Sequence, residues 1–155
     1  MLFRWRGGTP ADGDVICEFN RRMALETEGK ALDPVTLRAG VEAMLRDERK
    51  GRYFVCERDG QVIGQLGVTA EWSDWRNGFF WWIQSVYVAS AARRQGVFRA
   101  LYRHVEERAR AEPDVLGLRL YVERDNRIAQ ATYEALGMSR TPYQVMEVSW
   151  PGRGS

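Results

Sequence analysis

The chain has 155 residues, of which 45% are hydrophobic and 28% are charged, a composition typical of a soluble globular domain. Its formal net charge of +2 excludes a general, charge-driven affinity for nucleic acid or anionic membranes. No stretch approaches the ~18 apolar residues of a membrane span, and the first residues lack the apolar core of a signal peptide. Cys17 and Cys56 form no ligand cluster with the single histidine, so we expect a cytoplasmic, metal-free protein with reduced thiols.

The first third of the chain predicts one strand and two helices. Leu2–Arg6 alternates apolar and polar residues, which favours a short strand ended by Gly7-Gly8. A first helix is expected over about residues 12–26. Asp33-Pro34 is typical of an N-cap followed by the first residue of a helix, and this second helix is expected to end near Gly51.

The middle of the chain predicts an antiparallel meander. Tyr53–Cys56 and Gln61–Ala70 flank Asp59-Gly60, a strong signal for a two-residue hairpin turn. A loop over residues 72–78 then leads into Phe79–Val88. This segment is rich in aromatic and β-branched residues and contains no Gly or Pro, so it predicts a central buried strand.

The last third predicts two more helices and two more strands. From Phe98 the apolar residues recur at helical spacing and form one stripe, which consists of Phe98, Leu101, Tyr102, Val105 and Ala109. Val115–Val122 alternates as a strand does, residues 127–136 predict a short helix that stops at a glycine, and Tyr143–Val148 predicts a final strand.

The loop between the central strand and its helix has the chemistry of an anion site. Arg93-Arg94-Gln95-Gly96 directly precedes the helix, whose first N–H groups lack intrahelical partners and whose macrodipole is positive at that end. Gly96 has no Cβ to keep a ligand away from the backbone. Arg93, Arg94 and Arg99 add full charges that can pair with phosphate oxygens.

Two runs in this half carry a family resemblance. After Val86-Tyr87-Val88, the run Arg93-Arg94-Gln95-Gly96-Val97-Phe98-Arg99 resembles the acetyl-CoA motif of the GNAT superfamily of N-acetyltransferases, Arg/Gln-x-x-Gly-x-Gly/Ala. Arg93 and Gly96 match it, whereas Phe98 stands where the family usually has Gly or Ala. The downstream run from Asn126 to Met138 resembles the family segment Asn-x-x-Ala-x-x-x-Tyr-x-x-x-Gly-Phe.

The resemblance implies the fold, the reaction and the cofactor site. The implied fold is a GNAT-like three-layer α/β (α+β) domain over residues 1–150, with a mixed central sheet of six to seven strands and about four helices, followed by a short tail at 151–155. The implied reaction is direct attack of a primary amine, on a small molecule or a protein, on acetyl-CoA. In this family the fourth and fifth strands separate around the pantetheine arm. The implied cofactor-binding residues are Val86, Tyr87, Val88, Arg93, Arg94, Gln95, Gly96, Val97, Phe98, Arg99, Asn126 and Tyr133.

Acetyl transfer needs a base for the amine, a donor for the oxyanion and an acid for the departing thiolate. A strand N–H near Val86 could serve the oxyanion, and Tyr133 resembles the family's tyrosine acid. The alternative for Tyr133 is a core aromatic, and for Asn126 a helix N-cap. The candidates for the base are Glu71, Glu28 and Glu26, or a water held by Gln84 and Ser85.

Acidic and aromatic residues suggest how the acceptor could be held. Glu26, Glu28, Glu71 and Asp74 together suggest an acidic mouth, which suits a cationic amine. Trp72, Trp75, Trp81 and Trp82 could add cation–π attraction. The alternative is packing, because the adjacent Trp81 and Trp82 must point to opposite faces of a strand.

Two other classes of function remain open at this point. The first is a non-catalytic acyl-CoA sensor on the same scaffold. The second is a nucleic-acid-binding module that uses the arginines of the central helix, disfavoured because Glu106, Glu107 and Glu112 interrupt the basic run. We expect no nucleic-acid or membrane partner. A homodimer could form if the exposed final strand pairs between subunits.

Overall fold

The fold contains a five-stranded mixed sheet and four helices in the computed structural model, which describes residues 3–154. The strands are β1 (Arg4–Gly7), β2 (Arg52–Arg58), β3 (Gln61–Ser73), β4 (Gly78–Val88) and β5 (Val115–Leu120), and the helices are α1 (Gly13–Glu28), α2 (Pro34–Arg46), α3 (Val97–Ala111) and α4 (Arg127–Ala135). The strands lie in the order β1-β2-β3-β4-β5, antiparallel except for the parallel pair β4–β5. The chain divides into two compact units, one ending at Leu120 and one beginning at Tyr121.

Helices cover both faces of the sheet in the first unit. On one face, alternate residues of β2 pack against α1 and α2 in a buried cluster of Ile16, Cys17, Val41, Tyr53 and Val55. On the other face, the ring of Phe54 lies 5.8 Å from that of His104 in α3, and Cys56 packs with Val97 at the start of α3. Because side chains alternate along a strand, β2 supplies both cores. The predicted three-layer α/β arrangement is confirmed.

Several predictions that depended on local chemistry are confirmed. Asp33 caps α2 by accepting a hydrogen bond from the Thr36 N–H at 2.9 Å, and Pro34 is the first helical residue. Asp59 and Gly60 have φ of +53° and +77°, so the β2–β3 hairpin turns through two left-handed residues. The side chains of Leu101 and Val105 in the α3 stripe are fully buried.

The predicted count of six to seven strands is wrong, since residues 3–154 contain five. Tyr143–Val148, expected as a final strand, has no strand partner within the described chain. A strand is stable only when a neighbour satisfies its backbone hydrogen bonds. This segment instead leaves apolar side chains in solvent, with Met146 95% exposed.

The remaining differences concern where elements begin and end. The second helix stops at Arg46 instead of near Gly51 because Asp47 is extended and its carboxylate accepts a hydrogen bond from the Arg49 N–H at 3.0 Å. β3 runs on to Ser73, which shortens the predicted 72–78 loop to a tight turn. The predicted first strand includes Leu2, which lies outside the described residues.

His104 lies on α3 in an aromatic environment. Its ring centroid is 5.7 Å from that of Trp5 and 5.8 Å from that of Phe54. Its Nε2 is buried and has no hydrogen-bond partner within residues 3–154. Burial, together with the charge of nearby Arg108, lowers the pKa of His104, because both disfavour the imidazolium.

We expect this histidine to lower the stability of the folded protein as the pH decreases. The unfolded chain binds a proton near the ordinary histidine pKa of about 6.5, and the folded chain binds it only at lower pH. Stability is therefore full above pH 6.5 and is lost as the pH falls towards the lowered folded pKa. Thermal unfolding at pH 7.5 and pH 5.5 should show a smaller drop in Tm for His104→Phe than for the wild type. Equal drops would contradict this assignment, since the sequence contains one histidine.

Candidate functional site

The site is built around the end of β4, which is paired on one edge only. β3 pairs with β4 from Gly78 to Val88, but β5 pairs with it only from Phe79 to Ile83. β5 ends at Leu120, opposite Ile83, so along residues 84–88 no described strand covers that edge of β4. Pairing of β4 with β5 thus ends before β4 itself ends. Backbone groups on this edge can bond to a ligand.

A β-bulge lies at the beginning of this uncovered stretch. The β3–β4 register changes between the pairs Gln65–Tyr87 and Gly67–Gln84, so β4 has one extra residue there. Within the bulge Ser85 has φ of +53°, a left-handed conformation that is uncommon for a residue other than glycine. Its carbonyl oxygen accepts a hydrogen bond from Gln65 Nε2 at 3.0 Å.

Gln65 and Asn20 were missed by sequence reasoning. Gln65 is fully buried in β3, and Asn20 is 5% exposed on α1. The available signal was a glutamine inside the otherwise apolar run from Val62 to Val68, together with an asparagine beside Phe19 on the apolar face of the first helix. Buried amides of this kind need hydrogen-bond partners, so they mark places where separate elements are tied together.

The loop after β4 presents the start of α3 without a cap. Gly96 has φ of +81° and is followed directly by α3, and no side chain caps the helix. The N–H groups of the first turn of α3 lie at the positive end of the helix dipole. Arg94 and Arg99 are both exposed beside them. This combination of first-turn N–H groups, helix dipole and guanidinium groups fits a phosphate.

Phe98, which departs from the family motif, is accommodated along the helix. It is half-buried, and its ring centroid lies 6.2 Å from that of Tyr102, one turn further on. The Gln95 side chain donates to the Ala91 carbonyl at 3.1 Å, which holds the preceding loop in place.

Arg93, a predicted cofactor-binding residue, is held by a carboxylate from α1. Its Nη2 donates to Glu26 Oε2 at 2.8 Å, and its Nε donates to the Val88 carbonyl at 2.9 Å. The Tyr87 hydroxyl donates to Glu26 Oε1 at 3.0 Å, and the Arg93 guanidinium lies 5.2 Å from the centre of the Tyr87 ring. The bond from Arg93 lowers the pKa of Glu26, which disfavours Glu26 as a proton acceptor.

Glu71, a predicted base, lies in a second cluster on the same face of the sheet. Its Oε1 accepts hydrogen bonds from Trp82 Nε1 at 2.9 Å and from Arg119 Nη1 at 3.0 Å. The Arg119 guanidinium lies 3.6 Å from the centre of the Phe80 ring. Glu28 is exposed at the end of α1. The candidate carboxylates thus lie in different surroundings: Glu26 and Glu71 are each paired with an arginine, whereas Glu28 is exposed.

The four tryptophans differ in exposure. Trp81 is buried and its ring lies 6.4 Å from that of Phe54, whereas Trp82 bonds to Glu71 on the other face, so the pair points to opposite faces as predicted. Trp72 packs edge-on against Phe79 at 4.8 Å. Trp75, in the turn between β3 and β4, is 90% exposed.

The second unit carries Asn126 and Tyr133 on or beside α4. Asn126 Oδ1 accepts a hydrogen bond from the Ala129 N–H at 3.1 Å, which confirms the predicted N-cap. Tyr133 is half-buried, and burial raises its pKa, so its hydroxyl stays protonated at neutral pH and can donate. Gln130 donates to the carbonyls of Glu123 and Arg124 at 2.8 and 2.7 Å, which ties α4 to the preceding turn.

Comparison with known proteins agrees with this arrangement. A family model described as the acetyltransferase (GNAT) family matches residues 17–138. A solved structure of a possible acetyltransferase from Clostridium difficile 630 is 45% identical, covers 97% of this chain and 99% of its own, and has a TM-score of 0.91. A ribosomal-protein-alanine N-acetyltransferase from Brucella melitensis biovar Abortus 2308 is 14% identical with a TM-score of 0.77, covers 96% of this chain and 99% of its own, and shares the fold. No curated protein matches the chain.

The chain belongs to the GNAT family of acetyltransferases. It is thus an enzyme of the N-acetyltransferase class, with the α/β fold of that family. Among residues 3–154, no helix combines the length and the apolar character that crossing a bilayer requires.

The conformation of Gly96 leads to a stability prediction. A Cβ at Gly96 meets nothing within 4 Å, so only its left-handed backbone disfavours a side chain. We expect Gly96→Ala to lower the free energy of unfolding by about 1–2 kcal/mol. Gly40 is the control, because it lies inside α2 and also has open space around it. Gly40→Ala should raise the free energy by about 0.5–1 kcal/mol in denaturant titrations, and equal effects would contradict the backbone explanation.

Proposed function

We propose that this protein transfers the acetyl group of acetyl-CoA to a primary amine of a small molecule or a protein. The observation that carries the proposal is the uncovered edge of β4 at residues 84–88, which leads through the Gly96 loop to the uncapped start of α3. An extended polar arm can bond to a free strand edge, and a pyrophosphate can bond to a helix N-terminus. Adjacent segments of one chain would thus bind the pantetheine arm and the pyrophosphate of the donor.

The residues of this loop fit the donor in chemistry as well as in order. The backbones of Val86, Tyr87 and Val88 would hold the pantetheine arm. The N–H groups of Val97, Phe98 and Arg99, with Gly96 open above them and with the side chains of Arg93, Arg94 and Gln95, would hold the pyrophosphate. We also propose that Asn126 and Tyr133 contact the donor, as the family resemblance implies.

The chemistry requires proton transfer at both ends of the reaction. A free alkyl amine has a pKa near ~10, so the acceptor must lose a proton before it attacks the thioester. We propose two carboxylates on the acceptor side, Glu28, which is exposed at the end of α1, and Glu71, which accepts hydrogen bonds from Trp82 and Arg119. The Val86 N–H would stabilise the oxyanion, and the Tyr133 hydroxyl would donate its proton to the departing thiolate.

The surface charges bear on the other partners. Arg103 and Arg110 of α3 pair with Glu106 at 2.7 and 3.9 Å, so the basic face of this helix is partly neutralised, which argues against a nucleic-acid partner. We propose a cytoplasmic location with no membrane partner. A second copy of the chain is the proposed partner of residues 143–148, whose apolar side chains are exposed.

Calorimetric titration with acetyl-CoA tests the proposed donor site. The wild type should bind, and Gly96→Glu should weaken binding by at least about ten-fold, because it adds a negative charge and a strained backbone where the phosphates would lie. Gly40→Glu is the matched control, since it adds the same charge on the exposed face of α2. Its affinity should equal that of the wild type. Unchanged binding by Gly96→Glu would contradict a phosphate site on this loop.

Removal of one hydroxyl tests the proposed acid. Tyr133→Phe should lower kcat by roughly ten-fold or more and leave acetyl-CoA affinity largely intact, because it keeps the ring and removes only the hydroxyl, which would act as the thiolate departs. Turnover can be followed as CoA release with an alkyl diamine, an amino sugar and a short peptide as acceptors. Tyr143→Phe is the control, because Tyr143 is 72% exposed in the same unit. Full turnover in Tyr133→Phe would remove this residue from the mechanism.

A further inference from the structure

The side-chain amide of Gln65 connects three elements at the beginning of the uncovered β4 edge. Gln65 is fully buried in β3, and its Nε2 donates to Asn20 Oδ1 of α1 at 3.1 Å and to the Ser85 carbonyl of β4 at 3.0 Å. Asn20 is also hydrogen-bonded to Tyr53 of β2. A buried amide is stabilising only when it is bonded in this way. We therefore asked what the hydrogen bonds of the buried Gln65 side chain hold in place.

The orientation of this amide is fixed by its partners. The Ser85 carbonyl can only accept a hydrogen bond, so the nitrogen of the Gln65 side chain must face it. The two hydrogens of that nitrogen are both used, one on Ser85 and one on Asn20. Gln65 Oε1 is buried and has no partner within residues 3–154, a cost that the structure tolerates in return for these two bonds.

The bond to Ser85 lies at a residue with an unfavourable backbone conformation. Ser85 has φ of +53°, and such a conformation costs a residue with a Cβ free energy that surrounding contacts must offset. Gln65 supplies such a contact directly, because it bonds to the carbonyl of Ser85 itself. Without it, the left-handed conformation of Ser85 would lose a contact that offsets its cost.

The planarity of the peptide bond carries this effect to the next residue. The Ser85 carbonyl and the Val86 N–H belong to one peptide unit, and the chain contains no cis peptide among its described residues. In a trans peptide these two groups point in opposite directions. Because the Ser85 carbonyl points to the Gln65 amide, the Val86 N–H points away from that amide.

We propose that Gln65 is a positioning residue that holds the Ser85 bulge and thereby directs the Val86 N–H at the reacting thioester carbonyl. The inference rests on the proposed acetyl transfer, in which this N–H stabilises the oxyanion. It adds a residue on β3, outside both family motifs, to those on which turnover depends. A donor that is misdirected by a flipped peptide would lose most of its effect, because hydrogen bonds weaken steeply with angle.

Gln65→Met tests the proposal, since methionine has a similar length and fits a buried site but cannot donate. We expect kcat for CoA release to fall about ten-fold or more. The calorimetric Kd for acetyl-CoA should change less than about three-fold, because Tyr87, Val88 and the phosphate loop, which would hold most of the donor, are untouched. Ser85→Gly in the Gln65→Met background should restore most of the lost kcat, because glycine adopts φ of +53° without strain. Rescue by this second substitution would not follow from a general loss of packing.

Tyr53→Phe is the matched control. It removes the bond between Tyr53 and Asn20 in the same network but leaves the Gln65–Ser85 bond, so it should lower stability without lowering kcat. A Gln65→Met variant with reduced Tm and wild-type kcat would overturn the proposal, as would failure of Ser85→Gly to restore activity.

A readout that does not need turnover separates this inference from the proposed function. Amide hydrogen exchange over residues 84–88 should be faster in Gln65→Met than in Tyr53→Phe, because only the former releases the bulge. If the wild type releases no CoA, the proposed function fails, and unchanged exchange over this segment would then overturn the bulge assignment as well. Faster exchange would retain Gln65 as the residue that holds the bulge.

Discussion

The structure depends on an incomplete pairing of backbone groups. An inner strand of a sheet bonds to neighbours on both edges. Within residues 3–154, β4 loses its second strand neighbour after Ile83, while it stays paired with β3 up to Val88. Free N–H and C=O groups in the middle of a domain must bond to water or to a ligand. This edge is uncovered because β5 ends at Leu120, and the bulge at Ser85 and the loop that leads to α3 lie along and beyond it. The candidate donor site therefore depends first on backbone groups, and the side chains around it add to them.

Features that depend on neighbouring residues could be predicted from the sequence, whereas features that join distant residues could not. The N-caps at Asp33 and Asn126 were predictable because cap and helix lie within three residues of each other. The ion pairs Arg93–Glu26 and Arg119–Glu71 join residues 67 and 48 positions apart, and no local spacing predicts them. Because of these pairs, the acidic mouth expected from composition is in large part a set of neutralised carboxylates.

The same reasoning explains why the last strand was predicted wrongly and why the bulge in β4 was not predicted. Tyr143–Val148 has the alternation of a strand, but alternation describes side chains and says nothing of whether a partner strand is available. Ser85 carries no sequence signal for a left-handed conformation, so the bulge could not be predicted, nor could the role of Gln65 beneath it. The family motifs locate the loop and the last helix, and the parts that connect them to the core come from the fold.

Because Arg93 is paired with Glu26, an anion that binds Arg93 must compete with a carboxylate that is already there. In the proposed complex a phosphate would take over a guanidinium that already has a carboxylate partner, so the arriving anion replaces one contact by another. Such an exchange changes the net number of ion pairs less than binding to a free arginine does, which weakens the dependence of affinity on salt. The displaced carboxylate belongs to α1, and Tyr87 bonds to the same group. Arrival of the donor at this loop would therefore also change the contacts of α1.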